Sequence, residues 1–243
     1  MNSAVTIYGV GLGPGDPDLM SVKAARLIGN ARVIAHFRKP GRAGNARTLV
    51  EGLLAPGVIE VAMEYPVTTE IALDDPAYND SLREFYDDCV QRLLVHAAQG
   101  RDVAVLCEGD PFLYGSFMHL HSRLAGKANV VVVPGISGMS GCWTASDRPI
   151  TFGDDVLSVV PATLDEPSLR ERFRDIDALV VMKLGRNLPK VRRALKAAGL
   201  IERAVYVERG TMAAQKVMRL ADKTDDEAPY FSVILVHGQG RRP

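Results

Sequence analysis

Short runs of hydrophobic residues, many of them β-branched, alternate in the N-terminal half of this chain with stretches of helical periodicity. Continuous apolar runs are typical of strands buried on both faces of a parallel sheet, and a 3.6-residue period indicates an amphipathic helix. The pattern predicts five strands: Val5–Val10, Val33–Ala35, Val58–Met63, Asp102–Leu106 and Val130–Val133. It predicts three helices between them: Asp18–Asn30, one whose apolar face runs from Tyr78 to Leu93, and Ser116–Leu124.

The C-terminal half repeats this alternation. Its predicted strands and helices are Val156–Val160, Pro167–Arg174, Ala178–Met182, Leu188–Ala198, Ala204–Val207 and Phe231–Val236. Alternating strands and helices favour an α/β fold class, so we predict two successive α/β units. By composition, the stretch Ala145–Asp155, rich in Asp, Pro and Gly, is the best boundary between them.

The most informative stretch is the turn Cys107–Ser116, which follows the fourth predicted strand. Gly109 lets the backbone approach a ligand closely, Pro111 fixes φ, and Asp110 can cap the next helix or accept hydrogen bonds. Open α/β sheets bind their ligands at the carboxyl ends of strands. We therefore predict a ligand site here, although a lone Gly-Asp-Pro is more often an ordinary turn.

The first loop, Gly11–Pro17, is a second candidate for ligand binding. It is not a dinucleotide fingerprint, because Pro14 stands where the last glycine belongs, and it is not a P-loop, because no Gly-Lys-Ser/Thr follows. Its three glycines and Pro14 still allow the main chain to lie against a flat ligand. A tight structural turn is an equally good interpretation of this loop alone.

After the second predicted strand, four cationic residues fall within ten positions: Arg38, Lys39, Arg42 and Arg47. We call residues 38–47 the basic segment. Dinucleotide-binding folds place an acidic residue here to hold a ribose. A basic, glycine-containing segment suits a polycarboxylate ligand instead, because Arg grips carboxylates bidentately. Composition alone favours the alternative, a solvated basic loop.

Charge and cysteine content narrow the classes of function. The 243 residues include 29 basic and 29 acidic side chains, and this balance argues against a general nucleic-acid binder. Three cysteines without a CxxC pair favour a reducing cytoplasm, and we see no signal peptide and no apolar run of membrane-spanning length. His119 and His121 lie two apart on a predicted helix and make a poor metal pair, so we expect no metal site.

Four motifs resemble, in the same order, those of the tetrapyrrole methylase family: Gly-x-Gly-Pro-Gly-Asp-Pro at 11–17, Glu-Gly-Asp-Pro-Phe at 108–112, Pro-Gly-Ile-Ser at 134–137 and Glu-Arg-Gly-Thr at 208–211. The resemblance covers nearly the whole chain. It implies two α/β domains, residues 1–136 on the tetrapyrrole side and residues 137–243 completing the cofactor site, with S-adenosylmethionine in a cleft between them. It also implies a homodimer.

Further segments resemble the branch of this family that methylates precorrin-2 at C20: residues 64–70, 107–116, 138–143 and 182–187. The resemblance therefore implies that precorrin-2, a polycarboxylate tetrapyrrole, is the substrate, and that cobalamin biosynthesis is the pathway. Three alternatives stay open. They are the cobalt-loaded substrate of the anaerobic route, methylation of a macromolecule, and a non-catalytic ligand-binding dimer.

The resemblance also implies site residues. Carried across motif by motif, the cofactor contacts are Pro14, Glu108, Gly109, Asp110, Leu113, Ser137, Gly138, Met182 and Gly210. The expected substrate-binding residues are Arg38, Lys39, Arg42, Arg47, Thr68 and Thr69. The catalytic residue stays open among Glu64, Glu108, His36 and Tyr114. Phe37 stands where some relatives have an acidic residue, and Glu108 replaces a common glycine, so the acid–base roles of those relatives are not transferred.

Overall fold

The computed structural model describes residues 5–66 and 76–240, and the chain divides into two compact units, 1–137 and 138–243. The division comes one residue after the boundary at 136. The stretch 145–155, which composition favoured as a boundary, lies inside the second unit. There the Gly238 N–H donates to the Ile150 carbonyl at 2.9 Å, and this bond ties the stretch to the end of the last strand.

The first unit is a parallel sheet covered by helices. Its strands are β1 (Thr6–Gly11), β2 (Val33–Arg38), β3 (Ile59–Glu64), β4 (Val103–Cys107) and β5 (Asn129–Val133). Its helices are α1 (Val22–Gly29), α2 (Asn45–Leu49), α3 (Pro76–Ala98) and α4 (Phe117–Leu124). The strand order is β3-β2-β4-β1-β5, with Ile7 of β1 opposite both Val103 and Val130. One hydrophobic cluster fills each face of the sheet, so β4 is buried throughout.

The second unit contains a mixed sheet. Its helices are α5 (Gly138–Ala145), α6 (Glu166–Arg172) and α7 (Leu188–Ala197). Its strands are β6 (Leu157–Pro161), β7 (Ala178–Met182), β8 (Ala204–Glu208), β9 (Lys216–Arg219) and β10 (Ser232–Val236), in the order β6-β7-β10-β8-β9. Only β6 and β7 pair in parallel; β10 runs antiparallel to β7 and β8, and β9 runs antiparallel to β8. The sequence predicted two successive strands at this point, and the structure adds β9 between them.

Three local differences from the predicted elements concern the site. The first long helix begins at Val22, because the Ser21 hydroxyl accepts the Ala24 N–H at 3.2 Å and caps it. The strand β2 continues through Arg38, and the short helix α2 begins within the basic segment and ends two residues beyond it. The unpredicted edge strand β9 is short and mostly exposed, with charged residues at both ends, so it gave no hydrophobic signal. Within residues 5–66 and 76–240, no helix is long and apolar enough to cross a membrane.

Candidate active site

The loops after β1 and β4 are joined through their main chains. These two strands are neighbours in the sheet, so their carboxyl ends lie side by side. The Gly109 N–H donates to the Gly13 carbonyl at 2.9 Å, and the Gly13 N–H donates to the Gly109 carbonyl at 3.4 Å. The Leu12 N–H also donates to the Cys107 carbonyl at 2.9 Å. The two loops that the sequence predicted as separate candidates therefore form one structure.

The exit of β5 packs against this structure with no room for a side chain. A Cβ at Gly135 would lie 2.1 Å from the Gly109 carbonyl oxygen, and a Cβ at Gly11 would lie 2.5 Å from the Gly135 nitrogen. Gly109 also has a φ of 63°, which glycine adopts more readily than other residues. Three strand exits thus present a continuous main-chain surface.

Asp110 links the turn after β4 to the turn after β5. Its Oδ1 accepts the Phe112 N–H at 2.9 Å, and its Oδ2 accepts the Gly135 N–H at 3.1 Å. The Leu113 N–H donates to the Asp110 carbonyl at 3.2 Å, which closes the turn. Tyr114 follows with a φ of 56°, a left-handed conformation that is uncommon for a residue with a side chain. The structure therefore brings the predicted Gly109, Asp110 and Leu113 together.

A largely apolar cavity of about 460 Å³ adjoins this surface in the first unit. Its lining residues are Asp18, Leu19, Met20, Ser21, Pro134, Gly135 and Ile136. Pro14 lies in the loop 11–17, directly before the lining residue Asp18, and is half-buried. A cavity of this size and lining can accept the apolar part of a small ligand.

The Glu108 side chain faces α2. Burial raises the pKa of this carboxyl, while the Ala46 N–H and the Asn45 side-chain amide favour the charged form and oppose the shift. Both groups belong to the first turn of α2. Glu108 therefore connects the turn after β4 to the basic segment, a contact that the sequence did not predict.

The four cations of the basic segment are in two different situations. Arg47 on α2 makes a bidentate pair with Glu60 of β3, at 2.7 Å from Nε to Oε2 and 2.8 Å from Nη2 to Oε1. Arg38 at the end of β2 donates from Nε to Glu64 Oε2 at 3.0 Å. Lys39 and Arg42 are exposed, and neither forms an ion pair with any residue in the described part of the chain.

His36, one of the catalytic candidates, is only 2% exposed. Its Nε2 lies 3.8 Å from Glu60 Oε2, and its Nδ1 has no hydrogen-bond partner within residues 5–66 and 76–240. Burial lowers the pKa of the imidazole, although Glu60 opposes this shift. Because the ring is enclosed and its pKa is lowered, the structure gives no support to His36 as a base in contact with substrate. Glu64 gains none either, because it is paired with Arg38.

A group of hydroxyls at the ends of β3 and α4 was missed by the sequence analysis. The Tyr65 and Ser116 hydroxyls are hydrogen-bonded to each other, and Tyr86 of α3 joins them. Burial raises the pKa of Tyr86, and these two hydroxyls oppose the shift. Phe37 stacks on Tyr65 with ring centroids 5.5 Å apart. No sequence signal relates these residues, because they come from four separate elements.

The remaining predicted cofactor contacts are the last residue of the first unit and three residues of the second unit. Ser137 ends the first unit and Gly138 begins α5. Met182 ends β7, and Gly210 follows β8. A Cβ at Gly210 would lie 3.0 Å from the Cα of Cys142, so α5 packs closely against this turn. The sequence predicted close packing for this small-residue helix.

Two further expectations concern metals and threonines. His119 stacks on Tyr86, and His121 contacts Phe112 edge-on, so the two histidines serve different aromatic contacts. In the described residues, no group of three or more His, Cys, Asp or Glu side chains could hold a metal ion. Thr68 and Thr69 lie outside the described residues.

Comparison with known proteins identifies the family. The family model for tetrapyrrole (corrin/porphyrin) methylases matches residues 6–222. The chain belongs to the tetrapyrrole methylase family. A precorrin-2 C(20)-methyltransferase from Sinorhizobium sp is 55% identical over 98% of this chain and 97% of its own length. A cobalt-precorrin-2 C(20)-methyltransferase from Salmonella typhimurium is 25% identical over 96% of each chain.

A solved structure shows the same fold for another methylase of this family. Uroporphyrin-III C-methyltransferase from Thermus thermophilus, complexed with S-adenosylhomocysteine, superposes with a TM-score of 0.65 and 25% identity. The superposition covers 95% of this chain and 96% of that one. The two α/β units described above are therefore a tetrapyrrole methylase fold.

Proposed function

We propose that this protein transfers a methyl group from S-adenosylmethionine to C20 of precorrin-2, giving precorrin-3A in cobalamin biosynthesis. The observation that carries the proposal is the 55% identity, over nearly the full length of both chains, to the Sinorhizobium precorrin-2 C(20)-methyltransferase. Identity to the cobalt-precorrin-2 enzyme is less than half as high, at 25%. The metal-free substrate is therefore favoured.

The main-chain surface in the first unit fits such a methyl donor. Side chains are excluded at Gly11 and Gly135, and the adjoining cavity is apolar. We propose that the cofactor contacts are Pro14, Glu108, Gly109, Asp110, Leu113 and Ser137 in the first unit and Gly138, Met182 and Gly210 in the second. The Asp110 carboxylate holds two of the strand exits in register for this contact.

The contribution of the protein to the reaction is alignment of the two reactants. S-adenosylmethionine supplies an electrophilic methyl group on a sulfonium sulfur, and an electron-rich meso carbon needs no strong base to attack it. Correct positioning of two reactants lowers a barrier by about 7–11 kcal/mol. Rigid turns such as 11–17 and 107–116, which are joined by main-chain hydrogen bonds, are suited to this task.

The substrate side is the basic segment. Precorrin-2 carries several carboxylates, and Arg38 ends β2, which lies next to β4 in the sheet, while Lys39, Arg42 and Arg47 follow it. We propose that this segment, with Thr68 and Thr69, contacts those carboxylates. Each exposed ion pair contributes only about 0–1 kcal/mol, so several contacts have to act together.

The test is an anaerobic assay that offers purified protein labelled S-adenosylmethionine with either precorrin-2 or cobalt-precorrin-2. We expect labelled product from precorrin-2, with a higher kcat/KM than from the cobalt substrate. Asp110→Ala should lose S-adenosylhomocysteine binding in calorimetry while its circular dichroism shows a folded protein. Asp222→Asn, at an exposed ion pair in the second unit, is the matched control. Preference for the cobalt substrate, or no transfer to either, would refute the proposal.

We also infer that the protein acts as a homodimer in the cytoplasm. Three cysteines, all free and buried, are consistent with a reducing compartment. Light scattering should give about twice the chain mass of 26.3 kDa. A monomeric mass at micromolar concentration would contradict the dimer.

A further inference from the structure

The ion pairs of the basic segment divide its cations into two functional classes. Arg38 and Arg47 are each held by a carboxylate of β3, whereas Lys39 and Arg42 project from the loop between them without such a partner in the described residues. Glu60 and Glu64 lie four residues apart on β3 and therefore face the same side of the sheet. The loop 39–44 therefore lies, along the chain, between two arginines that are each paired with β3.

The loop is fixed at both of its ends. At its start, the Arg42 N–H donates to the Lys39 carbonyl at 3.1 Å and closes a tight turn. At its end, Gly44 has a φ of 90°, and a Cβ there would lie 2.7 Å from the Phe37 carbonyl oxygen. Glu108 then faces the first turn of α2. The loop therefore has a defined position relative to the turn after β4.

Arg47 has little freedom to leave its partner. The bidentate geometry is the strongest arrangement of an arginine and a carboxylate, and the pair raises the pKa of Arg47 and lowers the pKa of Glu60. If a substrate carboxylate took Arg47, Glu60 would lose its partner beside the buried His36. A second carboxylate gains little from such an exchange. Lys39 and Arg42 are exposed and form no ion pair in the described residues, so they can bind a substrate carboxylate without breaking an existing pair.

We infer that Lys39 and Arg42 contact the substrate carboxylates, and that Arg38 and Arg47 are positioning residues that hold the loop through Glu64 and Glu60. This inference rests on the proposed function, and it assigns different roles within a segment that the sequence treated as uniform. It also makes Glu60 and Glu64 part of the substrate-binding apparatus, although they carry the same charge as the ligand.

Two variants separate the classes. In Lys39→Gln/Arg42→Gln, we expect the KM for precorrin-2 to rise at least about tenfold, while the KM for S-adenosylmethionine and Tm stay unchanged. The salt dependence of the precorrin-2 KM should also become weaker, because exposed charges are screened by salt. In Arg47→Gln, Tm should fall by about 2–4 °C while the salt dependence stays that of the wild type.

The variant Glu60→Gln gives the sharpest contrast. If Arg47 were a substrate ligand, freeing it from Glu60 would lower the precorrin-2 KM. Under our inference, Glu60→Gln raises the KM or leaves it unchanged, and lowers Tm as Arg47→Gln does. A lower KM in Glu60→Gln, or an unchanged KM in Lys39→Gln/Arg42→Gln, would overturn the assignment.

A binding experiment distinguishes failure of this inference from failure of the proposed function. Uroporphyrin, a stable polycarboxylate tetrapyrrole, is titrated against the wild type and both variants by fluorescence. The assignment is supported, even if no methyl transfer to precorrin-2 is detected, if Lys39→Gln/Arg42→Gln weakens this binding and reduces its salt dependence while Arg47→Gln keeps the salt dependence of the wild type. An equal reduction of the salt dependence in Lys39→Gln/Arg42→Gln and in Arg47→Gln refutes it even if methyl transfer occurs.

Discussion

The turn around Gly109 in the first unit and the turn around Gly210 in the second both use left-handed backbone conformations, but with different residues. Where the loops after β1 and β4 meet, the residues with positive φ are glycines, Gly13 at 84° and Gly109 at 63°; Tyr114, at 56°, lies further along the second loop. On either side of Gly210 the residues with positive φ carry side chains, Arg209 at 48° and Thr211 at 70°. Non-glycine residues in this region are strained, so surrounding bonds have to hold them.

Those bonds are present around Gly210. The Arg209 N–H donates to the Phe231 carbonyl at 2.8 Å, and the Thr211 N–H donates to the Gln215 side chain at 2.8 Å. Arg209 also pairs with the buried Glu208 at 3.4 Å. The first turn needs glycines because neighbouring main-chain atoms fill the space that a Cβ would take, and the second turn is held by side-chain contacts. The first is therefore disrupted by added atoms, and the second by removed ones.

The largest effect is expected for Gly135→Ala. The new Cβ would lie 2.1 Å from the Gly109 carbonyl oxygen, so the exits of β4 and β5 have to separate. We expect a loss of about 3 kcal/mol in the free energy of unfolding, measured by urea denaturation. The control is Gly52→Ala, where no atom lies within 4 Å of the added Cβ. Equal stability of the two variants would show that the close contact is absent in solution.

The next largest effect is expected for Glu208→Ala in the second unit. Glu208 is 6% exposed and accepts a hydrogen bond from the buried Tyr206 hydroxyl at 2.8 Å, besides its contacts with Arg209 and Lys216. Removal of the carboxylate leaves these donors without an acceptor and costs about 2 kcal/mol of unfolding free energy. Glu208→Gln keeps one acceptor and should lose less. Equal losses in both variants would mean that a neutral acceptor does not hold the turn and that the carboxylate charge accounts for the whole effect.

The same contrast explains which parts of the fold and of the candidate site can be predicted from the sequence. Glycines mark positions of unusual backbone in the sequence itself, so the loops 11–17 and 107–116 were predicted as candidate sites, with Asp110 in the second loop. Side-chain networks have no local signal, because their members meet only after folding. Glu208 was read as part of a motif without a structural role, and Glu60 was not singled out at all. The strand β9 was missed for a related reason, since it is a short edge strand defined by its pairing with β8.

The pH dependence of stability can be compared for two buried histidines, His36 in the first unit and His237 in the second. Burial lowers the pKa of both imidazoles. Their contribution to stability is therefore fully present above the unfolded pKa of about 6.5 and is lost as the pH falls below it, because the unfolded chain takes up the protons first. The urea midpoint should be lower at pH 5.5 than at pH 7.5, and His36→Leu should reduce this difference.

The two histidines should differ at pH 7.5, where both are neutral. The His237 Nδ1 donates to the Pro149 carbonyl at 3.0 Å, and its Nε2 contacts the Ser146 hydroxyl at 3.2 Å. The His36 Nδ1 has no partner in the described residues. His237→Leu should therefore lower the urea midpoint at pH 7.5 by more than His36→Leu. The reverse order would indicate that the ring of His36 makes a bond in solution.

The smallest effect is expected for Asp222→Asn. This variant tests whether the burial of an ion pair or its bond lengths determine how much the pair stabilises the protein. Arg219 and Asp222 form a shorter pair than Glu208 and Arg209, with nitrogen–oxygen distances of 2.6 and 2.8 Å, but both side chains are exposed. Water competes for exposed charges, so good geometry adds little stability there. We expect no measurable change in the urea midpoint. A loss as large as that of Glu208→Ala would mean that bond geometry, and not burial, decides what holds the turns of the second unit.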